Sequence, residues 1–124
     1  MGDYRRLRAW HEARDLVVLS HAGVRKLPSC ERFGLADQWR RAAYSVALNL
    51  AEGMSRRGPR EFRRYVDTAR ASLHEIGTIL DLVCDLKYLS EEELRPLRLK
   101  HTHCARLVYA LLRKLDAACR TAVP

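Results

Sequence analysis

Glycine and proline are scarce in this chain, 6 and 4 among 124 residues. Few points therefore break an element, which disfavours a fold of many short strands and favours long helices. Aromatic residues make up 7%, and few of them stand among the cations, so specific reading of bases has no support. No apolar run approaches the roughly 18 residues that a membrane span needs. The opening stretch MGDYRRLRAWHEARD lacks the apolar core of a secretory signal. The four cysteines, Cys30, Cys84, Cys104 and Cys119, form no C-x-x-C and no short paired spacing. That pattern points away from a zinc ribbon or a disulfide framework and toward free thiols, mostly small core residues in a reducing compartment. The expected location is the cytoplasm.

Acids are the other shortage: 15 Asp/Glu stand against 23 Lys/Arg, a formal charge of +8. Residues 1–64 hold 14 cations and 7 acids, whereas residues 65–124 hold 9 and 8. A basic excess gathered in one half favours a polyanionic partner, nucleic acid above all.

The hydrophobic fraction of 48% and the length suit one domain with its own core. Leu7, Trp10, Leu16, Val17, Val24 and Leu27 recur at helical spacing, predicting a helix over about 7–26, with Asp3 as its start signal and Pro28-Ser29 as its end. A second helix is expected over about 33–54. There Leu35, Trp39, Ala42, Val46, Asn49 and Gly53 step by four and three along a seam crowded with alanines, and Asn49 is its one polar member. Gly53 is read as the helix exit. Pro59 opens a third helix, about 59–87, with Glu61 in its first turn. Ser90-Glu91-Glu92-Glu93 reads as a capping box ahead of a fourth helix over about 91–118. Four amphipathic helices with short connections predict a single all-α domain, 1–124, folded as an antiparallel up-down-up-down bundle.

Motifs that could carry chemistry are few. No Glu-x-x-His precedes any histidine, since Arg8, Val18, Ala71, Arg98 and Lys100 stand three residues ahead of the five. His101, His103 and Cys104 cluster in sequence, but residues two apart point to different helix faces, and no metal site is expected. Gly53-x-x-x-x-Gly58 is followed by Pro59-Arg60, not the Lys-Ser/Thr of a phosphate loop. Glu52, in the last turn of its helix, is read as a salt-bridge partner for an arginine, and Asn49 as a register-setting polar residue. No catalytic residue and no cofactor is assigned. The positive signal is cationic: Arg5, Arg6 and Arg8 near the N-terminus, Arg40 and Arg41, and the corner Arg56, Arg57, Arg60, Arg63 and Arg64. These ten are the candidate phosphate contacts.

Glu31-Arg32-Phe33-Gly34-Leu35, Gln38-Trp39-Arg40-Arg41-Ala42-Ala43, Ser45, Asn49-Leu50-Ala51-Glu52-Gly53, Arg56-Arg57, Glu61-Phe62 and Ser72-Leu73-x-Glu75 resemble the four-helix-bundle family encoded by intervening sequences in bacterial 23S rRNA genes. That family includes the Avd accessory proteins of diversity-generating retroelements. The resemblance spans nearly the whole chain, although the first and fourth helices match in pattern only. Ala47 stands where many members carry proline, implying a straighter second helix. The resemblance implies a protomer that assembles as a homopentameric ring. Its retroelement members are basic and non-enzymatic, and bind nucleic acid and a reverse transcriptase.

The expectation is therefore a non-catalytic basic bundle that binds RNA or DNA, as a reverse-transcriptase accessory or an intervening-sequence protein. The alternative is a protein scaffold whose basic corner docks an acidic partner. A third reading, an enzyme using Glu52 and arginines on a small anion, has no visible substrate.

Overall fold

The computed structural model describes residues 2–121. A 3-10 turn over Tyr4–Arg6 leads into α1 (Arg8–Val24), and a second, over Ser29–Glu31, leads into α2 (Leu35–Met54). Helix α3 covers Gly58–Asp85 and α4 covers Glu91–Thr121. Each helix packs on its two neighbours, in the order α1–α2–α3–α4 and back to α1, with no diagonal pairing among the described residues. Contacts between ends show the alternating direction. Gly2 N–H donates to Met54 O at the close of α2, and Lys26 at the close of α1 pairs with Glu93 at the start of α4. Arg63 early in α3 meets Asp116 late in α4. The molecule is an all-α, antiparallel up-down-up-down four-helix bundle.

The core is the inward stripe of each helix. It includes Ala13 and Leu16 from α1, Trp39, Val46 and Leu50 from α2, Val66, Ile76 and Leu80 from α3, and Leu94, Cys104 and Val108 from α4. Trp39 is the largest fully buried side chain, and Gly23 of α1 lies against it: a Cβ there would stand 2.5 Å from the indole Cη2. A large residue facing a hydrogen is how α1 and α2 approach closely at this level. The Trp39 indole N–H and the Ser20 hydroxyl are buried without a protein partner among the described residues.

Several helix ends depart from expectation for local reasons. Asp3 caps the first 3-10 turn, accepting from Arg5 N–H, and Leu7 holds the cap position of α1 without a side-chain bond. Gly53 is not the exit of α2. It is a buried helical residue against which Phe62 and Tyr65 of α3 pack, and the chain turns at Ser55–Arg57. Gly58, with φ of +80°, opens α3, which puts Pro59 at its second position. The left-handed conformation falls on Gly58, where the absent Cβ removes the steric cost. At the other end of α3, Lys87 takes a left-handed φ of 63°. The Ser90/Glu93 capping box forms reciprocally, each side chain bonding the other's backbone N–H at 3.1 and 3.0 Å.

The α2 seam differs from its predicted membership. Leu50, not Asn49, is fully buried, and Asn49 is half-buried on the flank toward α3. Its amide donates to Ser45 O and Ser45 Oγ, at 2.8 and 3.0 Å, and Ser45 Oγ also accepts from Ser72 Oγ at 2.7 Å. The polar link between α2 and α3 therefore runs through two serines, with Asn49 bracing one of them.

Glu31 makes a tie that no local pattern announces. Its carboxylate accepts from Leu35 N–H at the start of α2 (3.0 Å) and from the Tyr88 hydroxyl beyond α3 (2.8 Å). Those bonds hold its carboxyl below the usual range, and the Tyr88 phenol is pushed up to about 12 by the same contact.

The four thiols occupy distinct environments: Cys30 is exposed, Cys84 and Cys119 are half-buried, and Cys104 is buried. Burial pushes the Cys104 thiol up to about 12, which starves it of reactive thiolate. A thiol-specific reagent on the native protein should modify Cys30 first and leave Cys104 untouched until unfolding. Mass mapping checks the order, and early labelling of Cys104 would contradict the packing.

Candidate nucleic-acid interface

The bundle sorts the ten candidate arginines by helix end. Arg5, Arg6 and Arg8 precede or open α1, and the Gly2–Met54 bond brings that segment to the end of the bundle where α2 closes and α3 begins. Arg56, Arg57, Arg60, Arg63 and Arg64 occupy the corner at this same end. Arg40 and Arg41 do not join them. They lie in the first half of α2, and the 14 residues from Arg40 to Met54, where α2 closes, correspond to about 21 Å of helix. The set is thus one terminal cluster of eight and a separate pair.

Acids then divide the set again. Asp37 serves both Arg40 and Arg41, at 3.8 and 3.0 Å. At the corner, Glu52 pairs with Arg56 (3.0 Å), Glu61 with Arg64 (3.0 Å) and Asp116 with Arg63. Glu52 also accepts from the Ser55 hydroxyl at 3.1 Å. Arg56 and Arg64 lie over the Tyr65 ring, 4.9 and 5.9 Å from its centroid, so the corner is held by ion pairs and cation–π contacts together. The Asp116 carboxylate raises the Arg63 pKa further above its ordinary value. Arg5 keeps a long 3.9 Å contact with Asp3. Arg6, Arg8, Arg57 and Arg60 are exposed and have no acidic partner among the described residues. Exposed pairs are worth about 0–1 kcal/mol, so they lower the local potential without removing those arginines from reach of a phosphate.

Half-buried ion pairs elsewhere are architectural. Lys100 bridges α4 to α1 through Glu12 (2.7 Å) and Asp15 (3.4 Å), and Arg98 meets Asp81 of α3 and Glu91 at 3.0 and 2.9 Å. His101, His103 and Cys104 diverge as their spacing predicts. The His101 ring N–H donates to Leu73 O at 2.6 Å, His103 is exposed beside α1, and Cys104 is buried next to Ala9.

Helix α4 carries a basic face that the half-chain charge balance hides. From Leu94 to Thr121 its one acid is Asp116, against Arg95, Arg98, Lys100, Arg106, Arg113, Lys114 and Arg120. Subtracting the cations that hold α1 or α3 leaves five exposed ones without an acidic partner among the described residues: Arg95, Arg106, Arg113, Lys114 and Arg120. Arg106 also shares a small cleft with Arg8, Glu12, His103 and Leu107, joining α4 to the N-terminal cations. Counting charge helix by helix, rather than by half-chain, would have found this surface.

No helix among the described residues is long and apolar enough to cross a membrane. A search of curated proteins gives no match. The family model described as 23S rRNA-intervening sequence protein matches residues 5–110, which takes in α1, α2, α3 and most of α4. With that match over most of its length and the four-helix architecture, the chain belongs to the 23S rRNA-intervening sequence protein family.

Proposed function

We propose that this protein is a non-catalytic, cytoplasmic helical bundle that binds RNA or DNA through backbone phosphates and works as a homo-oligomer, a pentameric ring. The observation that carries the reading is the group Arg6, Arg8, Arg57 and Arg60: four exposed cations without acidic partners among the described residues, gathered at one end of the bundle. Phosphate contacts of this kind supply affinity without base specificity. A ring would repeat the cluster around its axis, and would give a use to Leu48, Leu82 and Val18, large apolar side chains exposed on the outer faces of α2, α3 and α1. A reverse transcriptase is the protein partner that this reading favours, with the protein serving as its nucleic-acid-binding accessory. No cofactor or metal enters the proposal.

The test is a variant carrying Gln at Arg6, Arg8, Arg57 and Arg60, titrated with a fluorescent RNA oligonucleotide at several salt concentrations. Removing four phosphate contacts is expected to make the slope of log K against log salt shallower by about three on single strands. An unchanged slope in a variant of unchanged helicity would remove this end from the interface. The alternative, an acidic protein partner docked on the same corner, predicts that wild-type protein shows no salt-dependent binding to nucleic acid at all.

A further inference from the structure

Arg95, Arg106, Arg113 and Arg120 are separated by 11, 7 and 7 residues. At 100° per residue those steps return to nearly the same azimuth, so the four lie along one outward line of α4. Arg106 to Arg120 covers about 21 Å of helix axis. All four are exposed and none has an acidic partner among the described residues. Of the acids nearby, Asp116 is engaged with Arg63, Glu12 with Lys100, and Asp81 and Glu91 with Arg98, while Glu92, three residues ahead of Arg95, makes no ion pair among the described residues and lies at the Arg95 end of the line only.

Tyr109 stands between Arg106 and Arg113 and is 46% exposed. On its α3 side is Arg70, whose guanidinium is raised above its ordinary pKa, mainly by Asp67 and to a smaller degree by the Tyr109 hydroxyl. A shallow groove of about 660 Å³ runs past this ring, lined by His101, Thr102, Ala105, Arg106, Tyr109 and Arg113. An aromatic face in an open groove, flanked along the helix by unneutralised guanidinium groups, fits one kind of ligand better than others. An acidic peptide would satisfy the arginines but has no flat ring for Tyr109. A duplex would satisfy them too, but its bases are stacked away from the surface. A single strand offers both phosphates at intervals and an unstacked base.

We infer that the outer face of α4 is a track for single-stranded nucleic acid, with phosphates on Arg106, Arg113 and Arg120 and a base stacked on Tyr109. This rests on the nucleic-acid reading above and assigns it a surface apart from the terminal cluster. Arg8, which shares a cleft with Arg106, is where the track meets that cluster.

The experiment titrates fluorescein-labelled oligo-U RNA and oligo-dT with wild type, with an R106Q/R113Q/R120Q variant, with Tyr109→Leu and Tyr109→Phe, and with R57Q/R60Q for comparison. Circular dichroism and solution mass are taken for each. The triple variant should lose about two from the salt slope. Tyr109→Leu should weaken binding by about 5- to 150-fold at an unchanged slope, and Tyr109→Phe should bind nearly as wild type. A triple variant with wild-type slope and affinity, beside an R57Q/R60Q variant that loses both, would overturn the track and leave the nucleic-acid reading standing. Absence of any salt-dependent binding by wild type would overturn both. A changed solution mass for the triple variant would make the ridge a subunit contact and reject the proposal, as would a duplex of the same sequence bound equally well and indifferent to Tyr109→Leu.

Discussion

Trp39→Ala should cost about 3–5 kcal/mol of folding stability, the range for emptying a large aromatic site in a core. For a domain of this length that is a fall in melting temperature of about 10–20 °C, on the order of 3–5 °C per kcal/mol. The upper part of the range applies because the site is fully closed: Trp39 has no solvent exposure and reaches across to Gly23 of α1, which Leu97 of α4 also approaches. Two rigid helices facing the vacated space cannot collapse to fill it. The indole N–H contributes little to the loss, since it has no protein partner among the described residues and its removal breaks no such bond. The complementary change, Gly23→Ala, places a methyl where the indole Cη2 is 2.5 Å away, so it should destabilise the wild type and do so much less in the Trp39→Ala background. Thermal and denaturant unfolding of the two single variants and the double variant measures this coupling. Additive effects would contradict the contact.

The helical frame was legible because periodicity and end signals are local. Trp39, Val46 and Leu80 declared themselves by spacing, and Ser90 with Glu93 declared the start of α4. What depends on the partner helix was not. Gly53 looked like an exit because glycine breaks helices, yet here it makes room for Phe62 and Tyr65. Asn49 sat on an ideal seam step, but the buried stripe of α2 runs through Leu50 and leaves Asn49 on the flank. The Glu31–Tyr88 bond joins residues 57 apart, so nothing near either one signals it.

The candidate interface was legible in part, for an electrostatic reason. The sequence displays cations but not which acid neutralises which. The corner looked richest with five arginines, yet Glu52, Glu61 and Asp116 take three of them. Arg40 and Arg41, close to the corner along the chain, are carried to the far part of α2 and share Asp37. The opposite error concerns α4. Its basic face was averaged away by Glu91, Glu92 and Glu93, which belong to the capped first turn, and by the acids of α3.

The exposed apolar side chains bear on assembly. Leu48 is 68% and Val18 65% exposed, and neither is required by the fold of one protomer. Their burial against neighbouring copies is what a ring would supply, and light scattering at micromolar concentration would show it as a multiple of the 14.3 kDa protomer mass.

The measurement that bears most directly on the central claim is the salt dependence of nucleic-acid binding by the wild-type protein. Four phosphate contacts from Arg6, Arg8, Arg57 and Arg60 imply a slope of about −2.8 on single strands, and the α4 arginines steepen it. Between about 50 and 200 mM salt, the affinity for oligo-U RNA or oligo-dT should therefore fall by at least about 50-fold. An affinity that stays flat across that range, or no binding at the lowest salt, would contradict phosphate contact and with it the function proposed.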